Sequence, residues 1–512
     1  MLEAQTVDLL IVGGGINGAG IARDAAGRGL RVCLLEQGDL ASATSSASTK
    51  LIHGGLRYLE HFELRLVREA LAERERLMGI APHIVRPLRF ILPHAAALRP
   101  RWQVRLGLLL YDHLGGPQSL PASRSILLAS EPSNPLRPVF VHGFSYSDCW
   151  VDDSRLVVLN VVDAAARGAQ ILTRTQCLRA LARPDGWHVQ CLDLLSGKPL
   201  EIRARALINA AGCSVELVRE AVGLPGGQPV RLVQGSHIVV RQLFEGAQAY
   251  LLQNQDGRVV FAIPFEGDYT LIGTTDVPFQ GDLKAVHIAA SEVDYLCEAV
   301  NRYFTRAVSP ADVVWTYSGV RALQQAETSN LSEITRDYEL KLETGEYGLR
   351  VLTVIGGKIT TYRKLAEAAL KLLHAVVGGS ARPWTASAAL PGGDLPSGDL
   401  SDYLESCRRR WPAVPPAVLA RLVRSYGTEL ERILAGVSSL EALGEHFGAG
   451  LTAAEVEHLR TREWAQTTDD ILWRRSKLGL HLRAEAVARL ERYLRDTSSQ
   501  CSTHFSQFTS DA

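Results

Sequence analysis

The stretch LLIVGGGINGAGIARDAAGRGLRVCLLEQ, residues 9–37, decides the fold of this chain. Its apolar runs predict one strand over residues 7–12 and another over residues 31–35. Between them, Gly13, Gly15 and Gly18 fit the G-x-G-x-x-G pattern at the start of an alanine-rich helix. In such a unit the first glycine permits a tight turn, the second lets a pyrophosphate approach the backbone, and the third lets the helix pack on the strand. The stretch therefore predicts a βαβ unit that binds a dinucleotide.

Three further features bear on the dinucleotide, and the last two of them favour FAD over NAD. Glu36 ends the second strand, where an acid accepts hydrogen bonds from ribose hydroxyls. The hydroxyl-rich run ASATSSASTK, residues 41–50, follows at once and suits a cofactor longer than NAD. The stretch VIGGKITTYRKLAEAA, residues 354–369, places a second glycine turn before a helix, with Thr360 and Thr361 as candidate caps, and suits the pyrimidine edge of a flavin. Taken alone, either of the last two segments is equally typical of a connection without a ligand.

The composition excludes several classes of protein. The 512 residues carry 55 Lys+Arg and 55 Asp+Glu, so no overall charge favours nucleic acid. The 8 cysteines are scattered without a CxxC pair, and the histidines show no metal-ligand spacing, so we expect reduced thiols and no metal. No signal peptide and no spanning helix are predicted, which leaves the cytoplasm as the expected compartment.

The later chain predicts a second sheet and a separate helical region. The runs GSHIVV (235–240), RVVFAIPF (258–265) and YTLIGTT (269–275) predict antiparallel strands, the last two joined by a short turn at 266–268. A helix is predicted over 62–76. The Pro/Gly-rich segment LPGGDLPSGDL, residues 390–400, predicts a linker before a helical domain at 401–496, and residues 497–512 predict a disordered tail.

One segment leaves contact with a membrane open. The stretch RPRWQVRLGLLLYDHLGG, beginning at Arg99, combines arginines with Trp102 and several leucines. A basic amphipathic helix of this kind can lie in a bilayer interface. It is equally typical of a helix packed on a protein core with its arginines in water.

Ordered motifs along most of the chain resemble a known family. GGGINGAGIARDAAGRG, SSASTKLIHGGLRYLE, YSDCWVDDSRLV, GSHIVV, IGTTD, WTYSGVR, ITRDY, GGKITTYRKLAE and DDILWRRSKLGL occur in the order found in aerobic, FAD-dependent glycerol-3-phosphate dehydrogenases. The resemblance covers residues 7 to 495, approximately. It departs from the family after RALINAAG, where Cys213 and Ser214 replace the usual Pro and Trp beside the cofactor.

The resemblance implies a fold and a reaction. The fold is α/β, with a Rossmann-like FAD-binding domain of the p-hydroxybenzoate-hydroxylase/D-amino-acid-oxidase type, an interleaved antiparallel substrate domain and a C-terminal helical domain. Residues 1–389 would form the oxidoreductase region, with FAD-binding parts near 1–75, 150–230 and 340–389 and substrate-binding parts near 76–149 and 231–339. The reaction would oxidise sn-glycerol 3-phosphate to dihydroxyacetone phosphate by hydride transfer to flavin N5, with electrons passed to a quinone such as ubiquinone at the cytoplasmic face of the inner membrane.

The family pattern also implies roles for individual residues. His237 is the expected base, because histidine titrates near working pH, although a satisfied core histidine remains an alternative. His53 is assigned to the flavin edge instead, and Arg321 and Lys358 are expected to stabilise developing negative charge. The residues predicted to bind the phosphorylated substrate are Arg57, Tyr58, Thr274, Arg321, Arg336 and Lys358. The residues predicted to bind the cofactor are Gly13, Gly14, Gly15, Ile16, Asn17, Gly18, Glu36, Gln37, Thr44, Ser45, Ser46, Ser48, His53, Gly54, Cys177, Ala211, Gly212, Gly357, Lys358, Ile359 and Thr360.

Three other functions stay open at this point. A glycerol-3-phosphate oxidase would use oxygen as acceptor, and an amine or amino-acid oxidase of the same flavin superfamily would clamp a carboxylate instead of a phosphate. A regulatory protein could hold FAD without turnover.

The C-terminal motif DDILWRRSKLGL could pack on the core or form the contact of a homodimer.

Overall fold

The structure is a computed structural model, and it describes residues 5–56, 59, 62–94, 100–130, 134–224, 230–323 and 337–507. The chain divides into two compact units, Met1–Leu390 and Pro391–Ala512. The division falls where the predicted linker begins.

The elements of the described residues follow in chain order. The strands are β1 Gln5–Val12, β2 Val32–Leu35, β3 Leu51–Ile52, β4 Val85–Pro93, β5 Arg124–Leu127, β6 His142–Val151, β7 Gln170–Leu172, β8 Thr175–Arg183, β9 Gly186–Asp193, β10 Pro199–Asn209, β11 Arg231–Arg241, β12 Ala249–Gln253, β13 Val259–Phe265, β14 Tyr269–Gly273, β15 Val277–Pro278, β16 Val313–Leu323, β17 Glu339–Thr344, β18 Arg350–Ile355, β19 His446–Gly448 and β20 Leu451–Thr452. The helices are α1 Ile16–Gly27, α2 Leu64–Ile80, α3 Arg101–Leu114, α4 Asp153–Ala166, α5 Val215–Ala221, α6 Ala290–Asn301, α7 Tyr362–Val377, α8 Leu400–Arg410, α9 Pro416–Tyr426, α10 Leu430–Ile433, α11 Ala453–Glu463 and α12 Ala484–Gln507.

The opening βαβ unit forms the centre of the first sheet, in the order β17-β18-β10-β1-β2-β7, with β9 pairing β10 and β8 pairing β9. β1 runs parallel to β2 and to β10, so strands distant in sequence flank it. Small residues let α1 approach α7 closely, since a Cβ on Gly20 would lie 2.5 Å from Tyr362 Cδ2. The predicted strand, glycine turn, helix and strand are confirmed.

The second sheet has the order β15-β11-β14-β13-β12-β4-β6-β3, with β16 pairing β11 and β5 pairing β6. The predicted strands β11, β13 and β14 are confirmed as antiparallel neighbours, with β14 between the other two. The sheet is not wholly antiparallel, because β12 pairs with β4 in parallel. It also takes β3 from within the predicted FAD-binding part at 1–75.

Helix α3 packs by a narrow face and leaves apolar side chains in solvent. Leu108 and Tyr111 are buried, whereas Trp102 is 70% exposed and Leu106, Leu109 and Leu110 are all exposed. Both sequence interpretations of this helix are thus partly met, since it packs on the unit and yet presents apolar surface. Across the described residues, none of the helices combines the length and apolar character needed to cross a bilayer.

The second unit is built around its own apolar core of helices, with additions that the sequence pattern does not predict. The short strands β19 and β20 pair, and Asp470–Arg475 forms a turn of π-helix. Trp473 is half-buried against this core, and Arg475 is fully buried within hydrogen-bond distance of the Glu463 carbonyl, at 2.6 Å. Helix α12 continues to Gln507, so the predicted disordered tail is corrected over residues 497–507, and 508–512 lie outside the described residues.

Candidate active site

A cavity of about 940 Å³ is lined by residues of both sheets of the first unit. One wall contains residues that follow the carboxyl ends of β1, β2, β10 and β18. Ligands of open α/β sheets bind at this edge. The opposite wall contains residues of β11, β13 and β16.

The first glycine turn approaches its neighbours too closely for any side chain. Gly13 has φ +117°, and a Cβ there would lie 2.5 Å from the Ala210 carbonyl oxygen. A Cβ on Gly18 would lie 1.9 Å from the Gly13 carbonyl oxygen. Gly15 is the N-cap residue of α1, and the Ile16 N–H donates to Ser45 Oγ at 2.9 Å. The turn therefore brings bare backbone and a helix N-terminus to the cavity, an arrangement that favours phosphate.

The carboxylate of Glu36 lies at the end of β2 and lines the cavity. It accepts hydrogen bonds from the Gly14 and Gly38 N–H groups, both at 2.7 Å. Burial raises the pKa of Glu36, and these two N–H groups oppose the rise. Each carboxylate oxygen has a second lone pair, so the same group can also accept from ribose hydroxyls.

The second glycine turn lies directly against the first. Asn17 Nδ2 donates to the Gly356 carbonyl at 3.1 Å, although 339 positions separate the two residues. Gly357 has φ +95°, and a Cβ there would lie 3.1 Å from Asn17 Nδ2. Thr361 is the N-cap residue of α7, but its side chain makes no capping hydrogen bond. The two segments chosen from the sequence as cofactor-binding thus meet at one cavity wall.

The substrate-side residues converge through glycines of the second sheet. A Cβ on Gly235 would lie 2.8 Å from Thr274 Oγ1 and 2.9 Å from Arg321 Nη2. Arg321 also forms an ion pair with Asp276, which holds its guanidinium at this wall. Thr274 follows β14 and Arg321 lies within β16, and the glycine between them makes their approach possible.

His237 is buried beside the same wall, 2% exposed. A Cβ on the opposite residue Gly273 would lie 2.1 Å from His237 Cδ2, so the ring covers that glycine. The ring stacks on Tyr317 with 4.7 Å between centroids, and Nε2 lies 2.9 Å from Thr49 Oγ1. Burial lowers the pKa of His237 well below its usual range, and the charges of Lys50 and Arg321 lower it further. The imidazole is therefore neutral at physiological pH.

The cavity gathers most of the predicted residues, and four lie behind its wall. The predicted residues that line it are Gly13, Gly15, Ile16, Asn17, Glu36, Gln37, Thr44, Ser45, Ser48, His53, Cys177, Ala211, Gly212, His237, Thr274, Arg321, Gly357, Lys358, Ile359 and Thr360. Gly14, Gly18, Ser46 and Gly54 do not line it. The Gly54 N–H donates to Tyr111 Oη at 2.8 Å. Arg57, Tyr58 and Arg336 lie outside the described residues.

Sequence reasoning missed part of the lining. Gly235 and Gly319 carry a readable signal, because a glycine inside a strand often marks a close approach of backbone or ligand. Lys284 and Leu178 also line the cavity, and nothing in their local sequence sets them apart.

The two residues that depart from the family pattern, Cys213 and Ser214, both line the cavity. Burial raises the pKa of the Cys213 thiol. Burial likewise raises the pKa of Cys177 to about 11. Both cysteines are therefore neutral thiols at physiological pH, and the wall here is uncharged.

Comparison with known proteins identifies two matching families. Residues 8–363 match the family described as FAD dependent oxidoreductase. Residues 383–501 match the C-terminal domain of alpha-glycerophosphate oxidase.

Individual relatives cover nearly the whole chain. A glycerol-3-phosphate dehydrogenase from Pseudomonas aeruginosa is 51% identical over 96% of this chain and 95% of its own length. A D-erythritol 1-phosphate dehydrogenase from Brucella abortus is 48% identical over 96% of this chain and 98% of its own length. The crystal structure of glycerol-3-phosphate dehydrogenase from Bacillus halodurans in complex with FAD superposes with a TM-score of 0.77, at 28% identity, covering 98% of this chain and 92% of that one.

The cavity geometry agrees with an FAD-sized ligand. Two turns that any Cβ would fill, a helix N-terminus and an acid at the end of β2 lie along one elongated space. These are the features by which a Rossmann-like domain holds a dinucleotide.

Proposed function

Because the chain belongs to the family of FAD-dependent oxidoreductases, we propose that it oxidises sn-glycerol 3-phosphate to dihydroxyacetone phosphate and passes the electrons to a quinone. The observation that carries the proposal is one shared cavity, in which His237, Thr274 and Arg321 lie across from the glycine turns and Lys358. The relatives named for polyol phosphates support the substrate class.

The cofactor is FAD, and when bound it supplies a two-electron acceptor for a hydride. The first glycine turn and the N-terminus of α1 would hold its pyrophosphate, and Glu36 its ribose. Gly357, Lys358 and their neighbours would hold the flavin end. These assignments are supported by the glycine turns and Glu36, which line the cavity together with Lys358.

Substrate binding requires cations for a phosphate whose charge approaches −2. Arg321 and Lys358 line the cavity and supply positive charge, and the resemblance adds Arg57 and Arg336. Arg321 is already paired with Asp276, which fixes its planar fork before substrate arrives. Each charged hydrogen bond to the phosphate contributes about 1.5–3 kcal/mol.

Proton removal from the substrate C2 hydroxyl is assigned to His237. The ring is neutral, so it can accept a proton, and Nδ1 has no hydrogen-bond partner among the described residues. Arg321 would stabilise the alkoxide that develops when the proton leaves. Thr274, beside Arg321, would orient a glycerol hydroxyl.

The test begins with the colour of the purified holoprotein. Under anaerobic conditions, sn-glycerol 3-phosphate should bleach the visible flavin band, whereas unphosphorylated glycerol and glycine should not. A faster reduction by D-erythritol 1-phosphate would reassign the substrate to the longer polyol phosphate, and reduction by glycine would favour an amino-acid oxidase. Bleaching only by dithionite would contradict enzymatic turnover altogether.

The base is tested by a matched pair of histidine variants. His237→Ala should slow flavin reduction by about 10²–10⁴-fold, the usual contribution of general base catalysis. His374→Ala, at an exposed position of α7, should leave the rate unchanged. A His237→Ala rate within a few-fold of wild type would exclude the base role.

The electron acceptor and the membrane surface are proposed together. Quinones reside in the bilayer, and α3 exposes Trp102, Leu106, Leu109 and Leu110 beside Arg101. Such a helix suits the interface of an anionic membrane, and we place the enzyme there as a peripheral protein of the cytoplasmic face.

Vesicle flotation and reoxidation kinetics test this second part. Wild type should float with anionic vesicles, and Trp102→Ser/Leu106→Ser should float less while keeping its flavin reduction rate. Reoxidation by a water-soluble quinone should exceed reoxidation by oxygen. Faster oxidation by oxygen with stoichiometric peroxide would instead indicate an oxidase.

A further inference from the structure

A fully buried ion pair lies behind the ring of His237. The side chains of Lys50 and Asp153 are both 0% exposed, and Lys50 Nζ lies 2.8 Å from Asp153 Oδ1 and 2.9 Å from Oδ2. The ammonium also donates to the Ser46 carbonyl at 3.0 Å. Burying two charges is costly unless they are paired and hydrogen-bonded, as they are here. The role assigned above to His237 does not account for such a pair.

The pair fixes the loop that precedes β3. Asp153 Oδ2 accepts from Ser48 Oγ at 2.7 Å and from Ser48 N–H at 3.2 Å. The Lys50 N–H donates to Ser48 Oγ at 2.9 Å, and Tyr317 Oη donates to the Ser48 carbonyl at 2.8 Å. Lys50 itself has φ +58°, a left-handed conformation that these contacts hold.

Two contacts connect this loop to His237. Lys50 Nζ lies 4.9 Å from the centroid of the Tyr317 ring, whose stacked partner is the His237 imidazole. On the other side, Thr49 Oγ1 lies 2.9 Å from His237 Nε2. The histidine is thus held by an aromatic face and by a hydroxyl, and both are positioned from the Lys50 loop.

We propose that Lys50, held by Asp153, is a positioning residue that holds the ring of His237 and fixes its tautomer through Tyr317 and Thr49. The inference rests on the proposed role of His237 as base. A cation beyond the stacked tyrosine disfavours a second positive charge on the imidazole. Because the Thr49 hydroxyl lies within hydrogen-bond distance of Nε2, its position fixes which ring nitrogen carries the proton.

Other groups around the ring act in known directions. Arg321, paired with Asp276, adds a second cation that also opposes imidazolium formation. Burial raises the pKa of Tyr317 well above its usual range, so that phenol stays neutral. Lys358 and His53 line the same cavity. Lys50 differs from these groups because it does not line the cavity and acts on His237 through Tyr317 and the loop that carries Ser48 and Thr49.

The test compares two substitutions that leave opposite charges behind. Lys50→Met leaves the Asp153 carboxylate and removes one of the two cations that oppose imidazolium formation, so it should raise the pKa of His237 although the ring stays buried. At about pH 6 its kcat/KM relative to wild type should then fall below the same ratio at about pH 8. Asp153→Asn leaves the lysine and should show no such fall. Dividing by wild type at each pH cancels the titration of the substrate phosphate.

A purely structural role predicts a different result. Both variants would lose activity by a similar factor at every pH. Arg23→Met breaks the comparably buried pair of Arg23 and Asp163 and serves as the matched control, with no change of the pH profile expected. If Lys50→Met does not fold, Lys50→Gln keeps a hydrogen-bond donor towards Asp153 without the charge, and it should also shift the acid limb of the kcat/KM profile upward.

A second readout does not depend on turnover. Histidine labelled with ¹⁵N reports ring protonation by NMR, and the His237→Gln spectrum of the holoprotein assigns the signal. Wild type should show a neutral His237 at about pH 6, and in Lys50→Met imidazolium should appear at a higher pH than in wild type. Wild type without flavin reduction would refute the proposed function but leave this readout intact. The inference would be overturned if His237 of wild type were protonated at about pH 6. It would also be overturned if the acid limb of the kcat/KM profile moved in the same direction in Lys50→Met and Asp153→Asn.

Discussion

Replacing Gly18 by alanine tests the close approach on which the cofactor turn depends. The added Cβ would lie 1.9 Å from the Gly13 carbonyl oxygen, where real contacts essentially never fall below 3.0 Å. The obstacle is backbone, so helix and turn must separate by about 1 Å. Overpacking of this kind costs about 1–3 kcal/mol, occasionally more. Alanine is more favourable than glycine in a helix by about 1 kcal/mol. At the upper end of that range, the expected net loss in the free energy of unfolding is therefore about 2 kcal/mol.

The assay follows flavin release and unfolding together. Holoprotein is titrated with urea while flavin fluorescence reports opening of the first unit. Gel filtration then measures how much FAD each variant retains. Gly18→Ala should lower the urea midpoint and the retained FAD. Gly107→Ala in α3 is the matched control, because no atom lies within 4 Å of its Cβ, and it should raise the midpoint slightly. Wild-type stability and FAD content in Gly18→Ala would refute the reasoning.

Three further predictions concern buried charge. Burial and a neighbouring guanidinium lower the pKa of His83 from 6.5 to about 3, so the unfolded chain binds its proton first as the pH falls. The folded state therefore loses stability below about pH 6.5, by about 2 kcal/mol at about pH 5. Urea titrations at about pH 7 and about pH 5 measure this loss in the free energy of unfolding, and His83→Phe should reduce the loss by about 2 kcal/mol. Arg363→Met should cost about 3–5 kcal/mol in urea unfolding, because the buried Glu73 carboxylate loses both hydrogen bonds from Arg363 and retains the ion pair with the more exposed Arg76. Adding Glu73→Leu should restore part of this loss; a single-variant loss under about 1 kcal/mol would contradict the prediction. Glu455→Gln should destabilise the second unit by about 1.5–3 kcal/mol, seen as faster amide exchange there, because Arg421 donates to both its oxygens; unchanged exchange would contradict it.

Local signals explain which parts of the fold could be predicted from the sequence. The βαβ unit is encoded within about thirty residues, because the glycine pattern and the two apolar runs each have a direct structural meaning. The partners of β1 are not local, and nothing near residue 10 indicates that β10 will lie beside it. The parallel pair of β12 with β4 is a similar case, since neither strand has a distinctive pattern.

The site shows the same division. The sequence predicts that Glu36 binds the ribose. Its hydrogen bonds to two backbone N–H groups depend on a turn geometry that the sequence does not reveal. Lys50 lies in a hydroxyl-rich run typical of a solvated loop, and its partner Asp153 is 103 positions away. Burial of a lysine is rare, so residue type alone argues against it.

The strand order of the first sheet has a consequence for biosynthesis. β10 lies between β1 and β18, so the platform beneath the cofactor combines residues 5–12, 199–209 and 350–355. At ribosomal rates of about 5–20 residues per second, roughly tens of seconds separate the first of these segments from the last. The first sheet therefore cannot complete its cofactor-binding edge until β18 has left the ribosome, late in synthesis. A ligand that binds only the folded state stabilises that state by mass action. The supply of flavin should therefore set how much of the newly made polypeptide escapes proteolysis.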